Sequence, residues 1–478
     1  MGTPGNERGR AYIVAQLRAL GLEPEFQIIE VANYFSISGE SVELVNVLAR
    51  IPGTAPTMAV ALVGHHDTVP GTLGANDNAS AVAIMLETAR AILTGDGLRN
   101  DVILLFTDGE EPAPRFGSSA FVALHPWFND IGFVVNLEAL GSGGPSVVIE
   151  MNGSSEWMID QYAQAVPYPA VFSFVTATSE LIGGSNTDFA TFRDAGVFGV
   201  DLAYMTGSPI YHTMADAPER VSASSVHQQG ANTLSLARHI VNLDFTLARE
   251  GSRAVFFTIG HFLVVRYPSA WALPLVLLTG VVLAAAVWRH GGWLRMLRGI
   301  GVTIATTLGS AAAAVGIWMV LAGWRSAMGV TESYLYLAGF AALALGIGAA
   351  LAWLTRRRIG TGPDALSAVA VWWMLGLLAT LTAPGMSYLF VWPALAGGLV
   401  LLWQAPQVGA LWWKLGRWAL VLVTALVMLV PAIDFFYQFA QPRPGNPDSQ
   451  ILATIAIPVM LIALTAELLR VFRVRAAN

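Results

Sequence analysis

Seven apolar stretches fill the carboxyl-terminal half of the chain, and they constrain its fold more than any other feature of the sequence. Each is close to the length of about 20 residues that a helix needs to cross a bilayer, although the fourth to sixth are short. They lie near residues 270–288, 300–323, 333–355, 366–382, 387–404, 418–434 and 450–469. The sequence therefore predicts an all-α transmembrane domain with about seven helices over residues 269–478.

Basic residues are distributed unevenly among the loops that join these stretches. The loops after the first, third, fifth and seventh stretches hold Arg289, Arg295, Arg298, Arg356, Arg357, Arg358, Lys414, Arg417, Arg470, Arg473 and Arg475. The other loops have no net excess of positive charge. Because arginine-rich loops stay on the cytoplasmic side, residues 1–267 are predicted to lie outside and the carboxyl terminus inside.

The amino-terminal half is acidic and long enough to bury a core of its own. Its acidic balance argues against nucleic-acid binding. The chain has no cysteine, which excludes disulfides and cysteine-based zinc sites. Lys414 is the only lysine, which is typical of a GC-rich genome, and we expect a protein of a bacterial inner membrane.

Helical and extended patterns alternate along residues 1–250. Helices are predicted over 7–20, 79–93, 154–165, 186–194 and 222–247, and strands over 24–31, 43–51, 58–65, 102–106, 131–138, 146–151 and 197–204. This alternation favours an α/β sandwich with a mostly parallel sheet. The apolar residues 254–267 are too few to span a bilayer. We predict that they form an interfacial hairpin within a connector, residues 251–268.

Five residues of metal-binding type stand at or just beyond the ends of predicted strands, where open α/β sheets place their sites. They are His65, Asp77, Glu111, Glu138 and His212. Two imidazoles and three carboxylates suit a pair of zinc ions with one bridging carboxylate. Glu110, beside a ligand, is suitably placed to take a proton from an activated water.

Each of these residues also has an ordinary structural interpretation. Asp77 lies in a loop directly before a helix, where a carboxylate commonly caps the helix. A single histidine in a loop, such as His212, is more often an ordinary surface residue. Asp67 can bond the far nitrogen of His65 and fix its tautomer. His66 points to the other face of its strand and is predicted not to be a ligand. The combination of residues therefore carries the prediction.

In order and placement, these residues resemble metallopeptidase family twenty-eight, the co-catalytic di-zinc exopeptidases. The motifs are Gly64-His65-His66-Asp67, Gly74-Ala75-Asn76-Asp77-Asn78, Gly109-Glu110-Glu111, Asn136-Leu137-Glu138 and Tyr211-His212-Thr213. The resemblance implies a zinc-exopeptidase (phosphorylase/hydrolase-like) three-layer sandwich for residues 1–250. The order of domains is similar to that of the endoplasmic-reticulum metallopeptidase and vacuolar membrane protease group. Members of that group usually begin with a membrane segment, so we expect one upstream.

The resemblance also implies a role for each residue. The zinc ligands would be His65 and Glu138 for one ion, Glu111 and His212 for the other, and Asp77 as the bridge. Glu110 would be the general base, Asp67 would support His65, and Tyr211 would help to stabilise the tetrahedral intermediate. The implied reaction is the removal of amino-terminal residues from peptides by an enzyme with two Zn²⁺ per chain.

Two other functions stay open at this point. Related single-zinc enzymes cyclise amino-terminal glutamine, and a content of one zinc ion per chain would favour that activity. A receptor, scaffold or transporter with an inactive peptidase domain would be favoured by absent metal. Transport would also be favoured if Asp434 were buried among the spans and its asparagine variant lost a measurable flux. The complete ligand set and Glu110 favour the exopeptidase.

Overall fold

The computed structural model describes residues 2–32, 41–111, 115–247, 251–290, 292–328, 334–359, 365–403, 410–441, 448–469 and 471. The chain divides into two compact units, Met1–Tyr267 and Pro268–Asn478. The division falls at the end of the predicted connector.

A seven-stranded sheet forms the middle of the first unit. Its strands are β1 (Glu25–Ala32), β2 (Ser41–Ile51), β3 (Ala59–His65), β4 (Asp101–Thr107), β5 (Ile131–Ala139), β6 (Val147–Asn152) and β7 (Gly199–Tyr204). They lie in the order β1-β2-β4-β3-β5-β7-β6. The pairs β3–β4, β3–β5 and β5–β7 are parallel, and the other three pairs are antiparallel. The sheet is therefore mixed, with parallel pairing at its centre.

Helices cover both faces of this sheet. They are α1 (Pro4–Ala19), α2 (Ala81–Leu93), α3 (Phe116–Leu124), α4 (Ser155–Ala165), α5 (Ser173–Ile182), α6 (Asp188–Asp194) and α7 (Ala223–Val241). Alternate residues of a strand face opposite ways. On β3, Val60 and Leu62 join a core with α1, α2, α4 and α7, whereas Ala61 and Val63 join a core with α3 and α6. The result is the predicted three-layer α/β sandwich.

A hairpin ends the first unit. Its strands are β8 (Ala254–Ile259) and β9 (Leu263–Pro268), which form a separate two-stranded sheet, and Phe257 also makes an isolated antiparallel bridge with Phe172. Gly260 and His261 at the turn have φ values of 62° and 45°, as in the tight turns that match the twist of two strands. Most of β8 is buried, whereas the residues of β9 are partly or fully exposed.

The second unit is helical throughout its described part. Its longer helices are α8 (Ala272–His290), α9 (Trp293–Met328), α10 (Tyr334–Ile359), α11 (Ala365–Thr382), α12 (Tyr388–Leu402), α13 (Ala410–Phe439) and α14 (Asp448–Leu468). Within the described ranges, five helices are long and apolar enough to cross a membrane, while Tyr388–Leu402 and Ile455–Leu468 are shorter apolar helices. Of the basic residues used to predict orientation, Arg470, Arg473 and Arg475 lie outside the described residues.

Asn100 directly precedes β4, at the edge of the sheet where β3 and β4 begin. Its side chain joins this point to the segment before β3 and to the end of α7. Its Oδ1 accepts hydrogen bonds from the backbone and hydroxyl of Thr57, at 2.7 and 2.9 Å, just before β3. Its Nδ2 donates to the carbonyl oxygens of Val241 and Leu243, at 2.8 and 2.7 Å, at the end of α7. The side chain is fully buried.

We predict that Asn100→Ala destabilises the first unit, because it removes the buried side chain that bonds the backbone of Thr57 and of Leu243. The expected loss in the free energy of unfolding is about 2 kcal/mol. Thermal unfolding of the purified full chain would measure it. The control is Asn129→Ala, which removes an exposed asparagine with one long hydrogen bond. Equal effects of the two substitutions would contradict the role assigned to Asn100.

Candidate metal centre

Three parallel strands end side by side and bring the candidate residues to one edge of the sheet. His65 is the last residue of β3, and Glu138 is the next to last residue of β5. Glu110 and Glu111 follow β4, whose last residue, Thr107, pairs with His65. Because the carboxyl ends of parallel strands meet at the same edge, residues far apart in the sequence come together here.

Two further candidates come from loops. Asp77 lies in the short turn Ala75–Ser80, directly before α2, with non-helical backbone angles of φ −108° and ψ 84°. His212 lies between β7 and α7 in a left-handed backbone conformation, with a φ of 60°. The structure thus brings all five predicted metal ligands into one cluster.

Asp77 lies between the two histidines of this cluster. Its Oδ1 is 3.3 Å from His65 Nε2, and its Oδ2 is 3.3 Å from His212 Nε2. Glu138 Oε2 lies 3.6 Å from His65 Nε2, and Glu111 Oε1 lies 2.6 Å from His212 Nε2. The cluster therefore consists of two histidine–glutamate pairs with one aspartate facing both.

The donor atoms of the cluster fit zinc. His65 Nε2 is buried and makes no well-aligned hydrogen bond within the described part of the chain, although two carboxylates face it. Ligand atoms of His65, Asp77 and Glu111 all lie within 4.8 Å of one another. A buried imidazole nitrogen that is open among carboxylate oxygens is a typical zinc environment.

Burial and proximity shift the pKa values of the cluster. Burial alone would raise the pKa of Asp77, but the nearby imidazoles of His212 and His65 lower it to about 2. Burial would lower the pKa of His212, but hydrogen bonds with Asp77 and Glu111 raise it to about 9. Burial raises the pKa of Glu138 to about 8, against the effect of His65. Protons on Glu138 and His212 thus neutralise part of the negative charge of the cluster. Bound metal ions could neutralise the same charge.

Asp67 supports the cluster differently from the sequence expectation. His65 Nδ1 lies 3.0 Å from the backbone carbonyl oxygen of Asp67 and 3.6 Å from its carboxylate. Because a carbonyl only accepts, Nδ1 carries the proton and Nε2 is open towards the cluster. The carboxylate of Asp67 instead accepts the backbone N–H groups of Glu110 and Glu111, at 3.2 and 3.0 Å. Asp67 therefore fixes both the imidazole and the adjacent acids.

Glu110 and Tyr211 are the other two residues with implied chemical roles. Burial raises the pKa of Glu110 well above its usual range, against the effect of His65, and the charges of Glu138 and Glu111 raise it further. Tyr211 stacks on His212 with ring centroids 3.7 Å apart. Burial and the nearby carboxylates raise the pKa of Tyr211 well above its usual range, which keeps its hydroxyl protonated. Both groups therefore favour their protonated forms.

His66 lies away from the cluster. Its Nε2 is 3.1 Å from the carbonyl oxygen of Val45, and its Nδ1 is 3.3 Å from Asn6 Nδ2. Both ring nitrogens of His66 thus have contacts outside the cluster.

Asp216 was not predicted as a site residue, yet it holds the turn that carries Asp77. Its Oδ1 accepts the backbone and side-chain N–H groups of Asn76, both at 2.8 Å, and its Oδ2 accepts the backbone N–H of Asp77 at 3.0 Å. Asp216 is buried. Its only signal in the sequence is its position shortly after His212, because partners 139 or more residues apart leave no local pattern.

A second supporting group lies behind Glu138. Asn136 Nδ2 donates to Glu138 Oε1 at 3.1 Å and to Asp201 Oδ1 at 2.9 Å. Thr187 donates to the other oxygen of Asp201 at 2.7 Å, and Asn78 Nδ2 lies 3.3 Å from Glu138 Oε2. Burial raises the pKa of Asp201 to about 7, against its hydrogen bonds. The spacing of Asn136 and Glu138 on one strand face was a usable signal, whereas the position of Asp201 required the sheet order.

Known proteins are similar to the part of the chain that carries this cluster. Residues 46–237 match Peptidase family M28. The chain is 32% identical over 280 residues to Endoplasmic reticulum metallopeptidase 1 of Mus musculus, across 54% of this chain and 31% of that protein. It is 31% identical over 220 residues to the Vacuolar membrane protease of Candida dubliniensis, across 45% of this chain and 23% of that protein. The matches thus span less than a third of each relative.

Two solved structures also resemble part of the chain. A glutaminyl cyclase from Fimbriiglobus ruber covers 50% of this chain and 88% of its own, at 19% identity and a TM-score of 0.41. BSAP, a zinc aminopeptidase from Bacillus subtilis, covers 44% of this chain and 52% of its own, at 21% identity and a TM-score of 0.35.

The family match includes every residue of the cluster, and the relatives at about 30% identity are metallopeptidases and membrane proteases by name. In the described part of the second unit, five helices are long and apolar enough to cross a membrane. This membrane protein therefore carries a Peptidase family M28 domain, homologous to the endoplasmic reticulum metallopeptidases and vacuolar membrane proteases.

Proposed function

We propose that this chain is a membrane-anchored, zinc-dependent exopeptidase that removes amino-terminal residues from peptides. The observation that carries the proposal is the position of Asp77, with one carboxylate oxygen 3.3 Å from each histidine. One carboxylate between two histidine–glutamate pairs suits two metal ions held side by side.

The cluster provides ligands for both ions. His65 and Glu138 would hold one zinc ion, His212 and Glu111 would hold the other, and Asp77 would contact both. When bound, zinc supplies Lewis acidity, which lowers the pKa of a water and polarises a carbonyl oxygen.

Glu110 would move the proton during hydrolysis. It would accept a proton from the attacking water and then donate it to the leaving amine. Because burial raises the pKa of Glu110, its carboxylate form would depend on the positive charge of the bound metal ions, and its protonated form would be favoured once it has accepted the proton. The protonated hydroxyl of Tyr211 would donate a hydrogen bond to the oxygen of the tetrahedral intermediate. Asp67 would hold Glu110 and Glu111 in position, because its carboxylate accepts hydrogen bonds from both of their backbone N–H groups.

The charge of the site favours a substrate with a free amino terminus. The side chains of Asp67, Asp77, Glu110, Glu111 and Glu138 surround only two histidines. With all five acids ionised, their negative charge would exceed that of two zinc ions by one, so the site would attract the ammonium group of a peptide and repel its carboxylate. We therefore favour an aminopeptidase over a carboxypeptidase.

The second unit is proposed to anchor the enzyme in a bacterial inner membrane. Alternate loops rich in arginine would place residues 1–250 in the periplasm and the carboxyl terminus in the cytoplasm. Peptide substrates would then reach the candidate metal centre from the periplasmic side.

We predict that Glu110→Gln lowers the turnover of aminoacyl-nitroanilides by about 100-fold or more, because the amide cannot accept a proton from water. Zinc content, measured by mass spectrometry on the same detergent-purified protein, is expected to be unchanged. The control is Glu87→Gln, an exposed glutamate on α2 that pairs with Arg90. Activity close to that of the wild type would contradict the role of Glu110.

Removal of metal provides a second test. We expect close to two zinc ions per chain, loss of activity on chelation, and recovery when zinc is added back. One zinc ion per chain, together with cyclisation of amino-terminal glutamine, would replace the exopeptidase with a cyclase. Absence of metal under zinc-replete conditions would leave an inactive scaffold or a transporter.

We predict that Asn136→Ala weakens zinc retention by about 10- to 100-fold, because Glu138 loses the amide that orients its second oxygen. Competition with a chelator of known affinity would measure this change. Asn46→Ala is the matched control, since Asn46 is equally buried on β2 but bonds Gln27, Gly117 and the backbone N–H of Asp108, none of which is a candidate ligand. Similar zinc loss in both variants would indicate general destabilisation and would contradict a specific role for Asn136.

A further inference from the structure

The tip of the β8–β9 hairpin exposes apolar side chains. Phe262, directly after the turn, is 79% exposed, and Leu263 is 48% exposed. Residues 254–265 contain no aspartate, glutamate, lysine or arginine. Turns that face water are usually rich in glycine, proline and small polar residues, so large apolar side chains at this tip indicate a different environment.

Hydrogen bonds fix the base of the hairpin to the first unit. The backbone N–H of Phe256 donates to Ser173 Oγ at 3.1 Å. Thr258 Oγ1 accepts from Val171 N at 3.0 Å and donates to Val171 O at 3.1 Å. Arg266 on β9 forms an ion pair with Asp160 on α4. The hairpin therefore cannot turn Phe262 inwards without breaking these contacts.

The hairpin is also tethered close to the bilayer. The first candidate span, Ser269–His290, begins directly after β9. An extended chain advances about 3.3 Å per residue, so Phe262 lies within about 23 Å of Ser269. Trp271 at the start of the span is 60% exposed, and tryptophan is enriched where a helix enters the lipid headgroup region. The lipid surface is thus within reach of the tip.

We propose that Phe262 and Leu263 insert into the surface of the bilayer that the first span enters. Insertion removes their apolar surface from water. It requires no desolvation of an aspartate, glutamate, lysine or arginine at the tip, where His261 is the titratable side chain, and Arg266 is already paired with Asp160. The inserted tip would attach the first unit to the membrane at a second point besides its covalent link to the span. This inference does not depend on the proposed catalytic activity.

The lack of cysteine in the chain allows a direct test. The full chain carrying Phe262→Cys is labelled with a nitroxide and reconstituted into phospholipid nanodiscs. Collisions of the label with oxygen, which concentrates in the hydrocarbon region, are compared with collisions with a water-soluble nickel chelate. The matched control is Leu124→Cys, which labels a leucine at the end of α3 that is 77% exposed.

The expected result is that the label at position 262 gains collisions with oxygen and loses most collisions with the chelate, relative to position 124. A label at 262 that is as accessible to the chelate as the control would overturn the proposal. A label shielded from both reagents would also overturn it, because protein and not lipid would then cover the tip. Leu263→Cys provides the same readout if Phe262→Cys does not fold.

Discussion

Concentrated negative charge at the ends of three buried strands is the constraint on which the first unit depends. Five carboxyl groups and two imidazoles meet where β3, β4 and β5 end, and most of these side chains are buried. Carboxylates in such a place repel one another and lose hydration. Their pKa shifts have different directions because each group meets a different balance of burial and histidine contacts. The surrounding structure must therefore hold the acids together against their repulsion.

Neutral groups and backbone N–H groups provide much of that restraint. Asp67 binds the two backbone N–H groups after β4, Asp216 binds those of the turn that carries Asp77, and Asn136 joins Glu138 to Asp201. A carboxylate that accepts hydrogen bonds is stabilised in its charged form. The site is thus surrounded by a second set of buried polar residues that is about as large as the ligand set itself.

The central strands and the candidate ligands were predictable from the sequence. β3, β4 and β5 are buried on both faces, so they appear as continuous apolar runs, and the rule that sites lie at strand ends brought His65, Glu111 and Glu138 together. The family resemblance supplied the pairing of the candidate ligands. The short distances between His65 and Glu138 and between His212 and Glu111 group the side chains in the same pairs. In the second unit, all seven apolar stretches coincide with helices among the described residues.

Other features depended on tertiary structure and were missed. α3 and α5 were not predicted; they have only 9 and 10 residues, and helices that short depend more on tertiary packing than on a signal in the local sequence. α7 ends at Val241 and not near residue 247, since the chain turns there to bond Asn100. α9 extends beyond its predicted apolar span, because a helix can continue where arginine side chains reach polar surroundings. The carbonyl contact of His65 depends on the path of the loop, which spacing alone does not reveal.

The link between Asp216 and the Asp77 turn has a consequence for biosynthesis. The first ligand, His65, leaves the ribosome long before His212, and the turn carrying Asp77 lacks its anchor until residue 216 has been made. A nascent chain therefore presents an incomplete and unrestrained set of donors for most of the translation of this unit. In the proposed metal centre, tight capture of metal would have to wait until nearly the whole unit has been synthesised, so that loading would be a late event in the maturation of the protein.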